Sequence, residues 1–198
     1  MSRFIETLQF KNGSLQNLKC HNRRFNHCRK DNYGIEEAVD LRKLIDASSL
    51  LNNITYKITI SYSETINDVS IIEYHKKTIN TLKIVEASPD FDYSYKYSNR
   101  REINQLLLKK ESCDDIIILK NKLITDISFA NIVFYDGNKY FTPASPLLKG
   151  TKREELLEKQ MISIEEIYVK DLQLFKYCHI INAMLELEDY RIEIGKIV

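Results

Sequence analysis

The chain has 198 residues, of which 43% are hydrophobic and 29% are charged, and its formal net charge is +1 at pH 7. These values are typical of a globular protein with one large domain or two small ones. A charge this small gives no long-range field that would favour nucleic acid or an anionic membrane, and no apolar run approaches the ~20 residues of a membrane-spanning helix.

The four cysteines and the N-terminal residues argue against a metal site, a disulfide framework and a signal peptide. The cysteines lack the paired spacing of a zinc site or a disulfide framework, so we expect no metal. The first residues lack the basic region, apolar core and cleavage site of a signal peptide. We therefore expect a protein of the reducing cytoplasm.

The first half of the chain is predicted to contain five strands and two helices. Asn12-Gly13 predicts a tight hairpin turn, because both residues tolerate a positive φ. Strands are predicted over residues 3–10, 15–18, 54–62, 69–74 and 81–85, and helices over residues 19–32 and 36–45. A polar joint near residues 75–78 predicts a boundary between a domain of residues 1–77 and a domain of residues 78–198; one continuous sheet is the alternative.

The second half is predicted to be richer in strands. Helices are predicted over residues 98–110 and 152–159, and strands over residues 115–119, 123–125, 131–135 and 139–141, with a β-like tail. The helices do not alternate strictly with the strands, so the predicted class is α+β.

Several short motifs follow one another along the chain. In one-letter code they are FIET at residues 4–7, HNRRF at 21–25, KYSNR at 96–100, ITDISFANI at 124–132, TP at 142–143 with LKGTKR at 148–153, and NA at 182–183. In this order they resemble the class IV aminotransferases, the fold-type IV family of pyridoxal-phosphate (PLP) enzymes. This family includes branched-chain and D-amino acid aminotransferases and 4-amino-4-deoxychorismate lyase. Larger members carry further strands before the first motif, so the resemblance implies a two-domain fold with a shortened N-terminal domain.

The resemblance implies roles for three side chains. Lys96 would form the Schiff base with PLP, Arg24 would bind the cofactor phosphate, and Asp126 would face the pyridine nitrogen. Asp126 stands where the family has a glutamate and is one methylene shorter. The alternatives are a solvated lysine, a solvated basic helix face and an aspartate that bonds locally after a turn.

The resemblance also implies a second group of phosphate contacts. The backbone amides of Thr151 and Lys152 would hold the phosphate at the start of a helix, where anions bind favourably. Asn182 and Ala183 would close the phosphate end of the site.

The implied activity acts on a small substrate that carries an amino group. We expect a lyase similar to 4-amino-4-deoxychorismate lyase, which forms 4-aminobenzoate and pyruvate for folate biosynthesis. A class IV aminotransferase of the branched-chain or D-amino acid type is the second hypothesis, and a relative that keeps the scaffold without catalysis is the third. The family also implies a homodimer.

Overall fold

The computed structural model describes residues 3–198, which divide into two compact units. The first unit runs to Lys76 and also includes Tyr95–Asn99; the second comprises Lys77–Ser94 and Arg100–Val198. The domain limits of 1–77 and 78–198 stay a prediction. The segment with Lys96, which that prediction assigns to the second domain, belongs to the first unit because its backbone bonds to the first strand.

The first unit is built on a four-stranded antiparallel sheet with one long helix. Asn12 and Gly13 both have positive φ, 52° and 75°, and form the predicted hairpin turn. The strand order is β2-β1-β3-β4. The elements are β1 (Phe4–Lys11), β2 (Ser14–Leu15), α1 (Leu18–Tyr33), β3 (Tyr56–Tyr62) and β4 (Ile66–Glu73).

Alternate residues of β1 and β3 form the core of the first unit. Phe4 and Leu8 of β1 are fully buried, as are Ile58 and Ile60 of β3, and Phe25 of α1 packs against them. Because side chains alternate along a strand, Glu6 lies on the same core face as Phe4 and Leu8. The sheet therefore places a carboxylate among apolar side chains.

The predicted helix over residues 36–45 is wrong. Only Leu41–Leu44 form one short 3-10 turn, capped by the side chain of Asp40, which accepts a hydrogen bond from Arg42 N. Two asparagines of α1 form side-chain hydrogen bonds with the backbone of this segment instead. Asn26 pairs with Val39 N and O, at 2.8 and 2.9 Å, and Asn22 Oδ1 accepts from Leu41 N at 2.9 Å. These bonds pair backbone polar groups of Val39 and Leu41 that would otherwise need partners within a helix.

The second unit contains an eight-stranded sheet with two helices. The path runs β10-β9-β8-β7-β6-β5, while β11 pairs with β8 and β12. The β5–β6 and β9–β10 pairs are parallel, and the other pairs are antiparallel. The strands are β5 (Leu82–Glu86), β6 (Asp115–Lys120), β7 (Leu123–Ile127), β8 (Asn131–Tyr135), β9 (Tyr140–Pro143), β10 (Ser163–Glu165), β11 (Tyr177–Ile181) and β12 (Ile192–Glu193).

The two helices of the second unit are short. They are α2 (Arg101–Leu107), which continues into a 3-10 turn at Leu108–Lys110, and α3 (Thr151–Glu158). The helix predicted from residue 98 starts later, because Ser98 N bonds to Arg3 O within the first unit. The mixture of sheets and separate helices confirms the predicted α+β class. None of the helices within residues 3–198 is both long and apolar enough to cross a membrane.

The β7–β8 hairpin is held by a buried carboxylate. Its turn closes with Ile127 N donating to Ala130 O at 3.0 Å. Asp115 accepts from both Ser128 N, at 3.2 Å, and Ser128 Oγ, at 2.9 Å. The hairpin places Asp126 directly opposite Asn131.

Candidate active site

In the first unit, Glu6 and Arg24 form a double hydrogen bond. Arg24 Nη2 donates to Glu6 Oε1 at 2.5 Å and Arg24 Nε donates to Oε2 at 3.2 Å. Burial alone would raise the pKa of Glu6, but the charge of Arg24 and the hydrogen bond of His21 outweigh it and lower the pKa to about 2. Glu6 is therefore ionised, and its carboxylate fixes the orientation of the Arg24 guanidinium. The side chain of Arg24 is 16% exposed.

His21 is the second partner of Glu6. Its Nδ1 lies 2.6 Å from Glu6 Oε1, and the ring is 1% exposed. Burial lowers the pKa of His21 despite the hydrogen bond to Glu6, so the ring is neutral near pH 7. An ionised carboxylate can only accept, so Nδ1 carries the ring proton. This is a hydrogen-bonding role that holds the carboxylate in place.

Lys96 is half-buried and its backbone is attached to β1. Ile5 N donates to Lys96 O at 2.9 Å, and the ring of Phe4 packs against that of Tyr97 with centroids 5.3 Å apart. The charge of Lys96 also lowers the pKa of His21, so the ammonium lies close enough to this ring to act on it. Two of the predicted side chains, Lys96 and Arg24, thus lie in the first unit, and the charge of each lowers the pKa of His21.

Two basic side chains of the first unit, Lys96 and Arg24, act on the ring of His21. Ammonium and guanidinium groups are the side-chain groups that bind phosphate oxygens in proteins.

In the second unit, Asp126 is buried and hydrogen-bonded. It is 4% exposed; Oδ1 accepts from Asn131 Nδ2 at 2.7 Å and Oδ2 accepts from Leu148 N at 3.0 Å. Burial raises the pKa of Asp126 to about 6, although these hydrogen bonds oppose the shift. The carboxyl group can therefore gain or lose a proton near neutral pH.

The segment that leads into α3 contacts this carboxylate through Leu148 N. Gly150 precedes the helix in an extended conformation, and Thr151 and Lys152 form its first turn. Lys152 Nζ is paired with Glu186, 3.0 Å from each carboxylate oxygen, and with Glu155 at 2.8 Å. The side chain of Lys152 is committed to these pairs, so its predicted contact would come from the backbone amide alone.

Arg153 ties the same helix to β9. Its Nε donates to Thr142 Oγ1 at 3.2 Å and its Nη2 donates to Pro143 O at 2.9 Å. Two of the short sequence motifs, TP and LKGTKR, are thus joined by one buried guanidinium, which stabilises the position of α3 on the sheet.

Asn182 and Ala183 form a turn after β11. Asn182 Oδ1 accepts from Met184 N at 2.8 Å, and Asn182 Nδ2 donates to Phe129 O at 3.5 Å in the β7–β8 turn. Both residues are half-buried. Their role at the phosphate end stays a prediction.

Two residues of these clusters were given no role by the sequence. Glu6 lies at a core-facing position of an alternating strand, and a charged residue there indicates a buried partner. Asn131 lies opposite Asp126 because the four residues between them, 127–130, form a tight turn, and that hairpin register is the signal that would have found it.

The comparisons with known proteins agree on a family. The family model for class IV amino-transferases matches residues 3–188. An uncharacterised protein of Haemophilus influenzae is 37% identical over 187 residues, which are 93% of this chain and 98% of that one. The crystal structure of a candidate 4-amino-4-deoxychorismate lyase from Haemophilus somnus 129PT is 31% identical, with a TM-score of 0.87, covering 93% of this chain and 97% of that one.

A more distant structure supports the fold alone. It is the PLP-bound form of a hypothetical aminotransferase from Mycobacterium tuberculosis, with 14% identity and a TM-score of 0.77, covering 99% of this chain and 81% of that one. The family match and the Haemophilus somnus structure confirm the predicted resemblance and the prediction of an enzyme. Both structures confirm the fold-type IV architecture.

The family also confirms the predicted cofactor, because class IV amino-transferases use PLP. The residues of each unit fit this group. The first unit offers a lysine and an arginine, and the second offers a buried carboxyl group and a helix start. These are the chemical partners of an aldehyde, a phosphate and a pyridine nitrogen.

Proposed function

We propose that this chain, which belongs to the class IV amino-transferase family, catalyses a PLP-dependent elimination like that of 4-amino-4-deoxychorismate lyase. The observation that carries the proposal is the 31% identity and TM-score of 0.87 to the Haemophilus somnus protein, over nearly the whole of both chains. The products would be 4-aminobenzoate and pyruvate, which suggests a step in folate biosynthesis.

The proposed roles follow from the chemistry of each side chain. Bound PLP supplies an electron-withdrawing ring that makes a carbon–hydrogen bond next to the substrate amine acidic. Lys96 would attach the cofactor and then take that proton. Arg24, held by Glu6, would bind the phosphate together with the amides of Thr151 and Lys152.

Asp126 would face the pyridine nitrogen, and its burial supports this role. A buried carboxylate interacts strongly with a nearby proton donor, because little water competes for it. Its bonds to Asn131 and Leu148 fix both oxygens in direction, and each oxygen has a further lone pair with which to accept. Asn182 and Ala183 would close the phosphate end.

The elimination itself requires one base and one leaving group. Lys96 would take the proton from the ring carbon that bears the amine. The bond between the ring and the enolpyruvyl oxygen would then break, the ring would become aromatic, and the oxygen would leave, with a proton, as pyruvate.

An aminotransferase is the second proposal, and the description of the matching family favours it. The same Lys96 would take the proton from the substrate carbon and return it, the amino group would pass to an acceptor keto acid, and the donor would leave as its own keto acid. The donor could be of the branched-chain or D-amino acid type. Since both reactions use the same residues, only the products separate them.

The attachment of the cofactor is tested by absorbance and mass mapping. Protein mixed with PLP should turn yellow, and borohydride should fix the cofactor on Lys96. Lys96→Ala should lose the modified peptide, whereas Lys57→Ala, a control at another half-buried lysine of the first unit, should keep it. Modification of a different lysine in the wild-type protein would contradict the proposed site.

The reaction is tested by incubating the yellow protein with 4-amino-4-deoxychorismate and measuring 4-aminobenzoate and pyruvate. Parallel reactions would offer branched-chain or D-amino acids with 2-oxoglutarate. Elimination without transfer supports the lyase. Transfer without elimination refutes it and supports the aminotransferase.

The assembly and location are proposed with the function. We propose a homodimer in the cytoplasm, which the family resemblance suggests. The four cysteines, all within the described residues, are buried and form no disulfide, as suits a reducing compartment. Sedimentation of the purified protein would test the dimer, and a single monomeric species at micromolar concentration would refute it.

A further inference from the structure

Asn131 joins two parts of the second unit that carry proposed cofactor contacts. Its Nδ2 donates to Asp126 Oδ1 at 2.7 Å and to Leu148 O at 2.8 Å. Leu148 in turn donates its N–H to Asp126 Oδ2 at 3.0 Å. The amide, the carboxylate and the loop that leads into α3 therefore form a closed ring of hydrogen bonds.

Gly150 completes this arrangement through its lack of a side chain. An ideal Cβ built on Gly150 would overlap Asn131 Oδ1 and would lie 3.1 Å from Asn131 Cγ. The φ of Gly150 is −71°, which any residue can adopt, so backbone conformation does not require glycine here. The close approach of the Asn131 amide is what requires it.

We propose that Asn131 is a positioning residue that fixes the Asp126 carboxylate to the start of α3, and that Gly150 is required so that the Asn131 side chain can occupy its place. This inference rests on the proposed function, in which Asp126 and the first amides of α3 hold opposite ends of one cofactor. Asn131 would act through these groups and would not touch the substrate.

The burial of the cluster gives the arrangement its rigidity. Asn131 is 5% exposed and Asp126 is 4% exposed, so water cannot readily replace a lost hydrogen bond. The cross-strand pairing of the two residues fixes their backbones opposite each other. Shifting the side chain of Asn131 therefore removes a donor from Asp126 without moving the strand that carries it.

The test is a double-mutant cycle with Asn131→Ala, Gly150→Ala and the double variant, each measured without PLP. The first readout is the pKa of Asp126, followed by carbon NMR. Asn131→Ala removes a donor to the ionised form, so this pKa should rise by about one unit. Arg153, the charged group that acts on Asp126, is the same in every variant.

Gly150→Ala should raise the pKa of Asp126 in the same direction, because the added Cβ displaces the amide. In the Asn131→Ala background it should have almost no further effect, since the atom it would meet is gone. Gly195→Ala is the matched control; a Cβ there meets no atom within 4 Å and should leave the pKa unchanged.

A second variant covers the case in which Asn131→Ala does not fold. Asn131→Asp keeps the size of the side chain but replaces the donor with an acceptor, so the pKa of Asp126 should rise further. The inference is overturned if Asn131→Asp or Asn131→Ala leaves this pKa unchanged, or if Gly150→Ala shifts it equally in both backgrounds.

The two proposals fail separately. If borohydride marks a lysine other than Lys96, the proposed function fails while the coupling of Asn131, Gly150 and Asp126 can still be measured. If the cycle shows no coupling, the positioning role fails while the attachment of PLP to Lys96 is unaffected. A thermal melt of each variant separates a changed pKa from loss of the fold.

Discussion

Glu6 holds Arg24 by both oxygens, with donor–acceptor distances of 2.5 and 3.2 Å, inside the core face of a sheet. A guanidinium fixed in this way keeps one orientation before any ligand arrives.

Glu6→Gln should therefore destabilise the protein. The change removes the negative charge and leaves Arg24, whose side chain is only 16% exposed, beside a neutral amide. Breaking a buried ion pair from one side costs about 3 kcal/mol or more. Urea unfolding measures the loss. Glu36→Gln, at a carboxylate that is 79% exposed and paired with Lys30, is the control and should cost less than ~1 kcal/mol. Equal losses in the two variants would contradict the expectation.

The acid side of the stability curve should also depend on Glu6. The pKa of Glu6 is about 2 in the folded protein and 4.5 ordinarily, so its stabilising contribution is complete above pH 4.5 and is lost as the pH falls towards 2. A shift of this size corresponds to about 3 kcal/mol. The difference in unfolding free energy between wild type and Glu6→Gln should shrink over that range. A difference that stays constant with pH would show that another group is responsible.

The contribution of Asp126 to stability should depend on pH in the opposite direction to that of Glu6. Burial raises the pKa of Asp126 from 3.8 to about 6, so its favourable contribution is complete below pH 3.8 and is lost as the pH rises through 6. Asp126→Asn does not titrate. The variant should therefore gain stability relative to wild type between pH 4 and 7, by up to about 3 kcal/mol. Urea unfolding without PLP at several pH values tests this, and a wild type that gains on the variant over that range would refute it.

The variant Lys152→Ala distinguishes the role of the side chain in stability from the proposed role of the backbone amide in binding PLP. Its side chain is 8% exposed and pairs with Glu155 and Glu186, so Lys152→Ala should cost about 1–3 kcal/mol in unfolding free energy. The backbone amide remains, so the affinity for PLP, measured by absorbance titration, should change less than about twofold. Lys159→Ala, at an exposed partner of Glu155, is the control. A tenfold loss of affinity in a folded Lys152→Ala protein would assign the contact to the ammonium instead.

Local patterns predicted most of the strands and the longest helix. The alternation of β1 and the Asn12-Gly13 turn are properties of neighbouring residues, and the structure contains both. The absent helix over residues 36–45 has a different cause. Its backbone is held by Asn22 and Asn26, which are 13 or more residues away in sequence. Periodicity cannot detect a competing hydrogen bond from a distant segment.

The candidate site shows the same limit. The family resemblance pointed to Arg24, Lys96 and Asp126, because each lies in a short motif. Their partners depend on which strands and helices pack together. Glu6 meets His21 and Arg24 only when α1 packs on the sheet, and the contact of Asn131 with Gly150 appears only in the folded second unit.

The attachment of residues 95–99 to β1 has a consequence for how the protein can be divided. The polypeptide leaves the first unit after Lys76, returns for five residues, and leaves again. A fragment that ends at residue 76 would keep the arginine and lose the lysine, and β1 would lose the partner of Ile5 N. A chimera of two related genes joined at residue 76 would therefore take the arginine from one parent and the lysine from the other. We propose that these two groups act on one molecule.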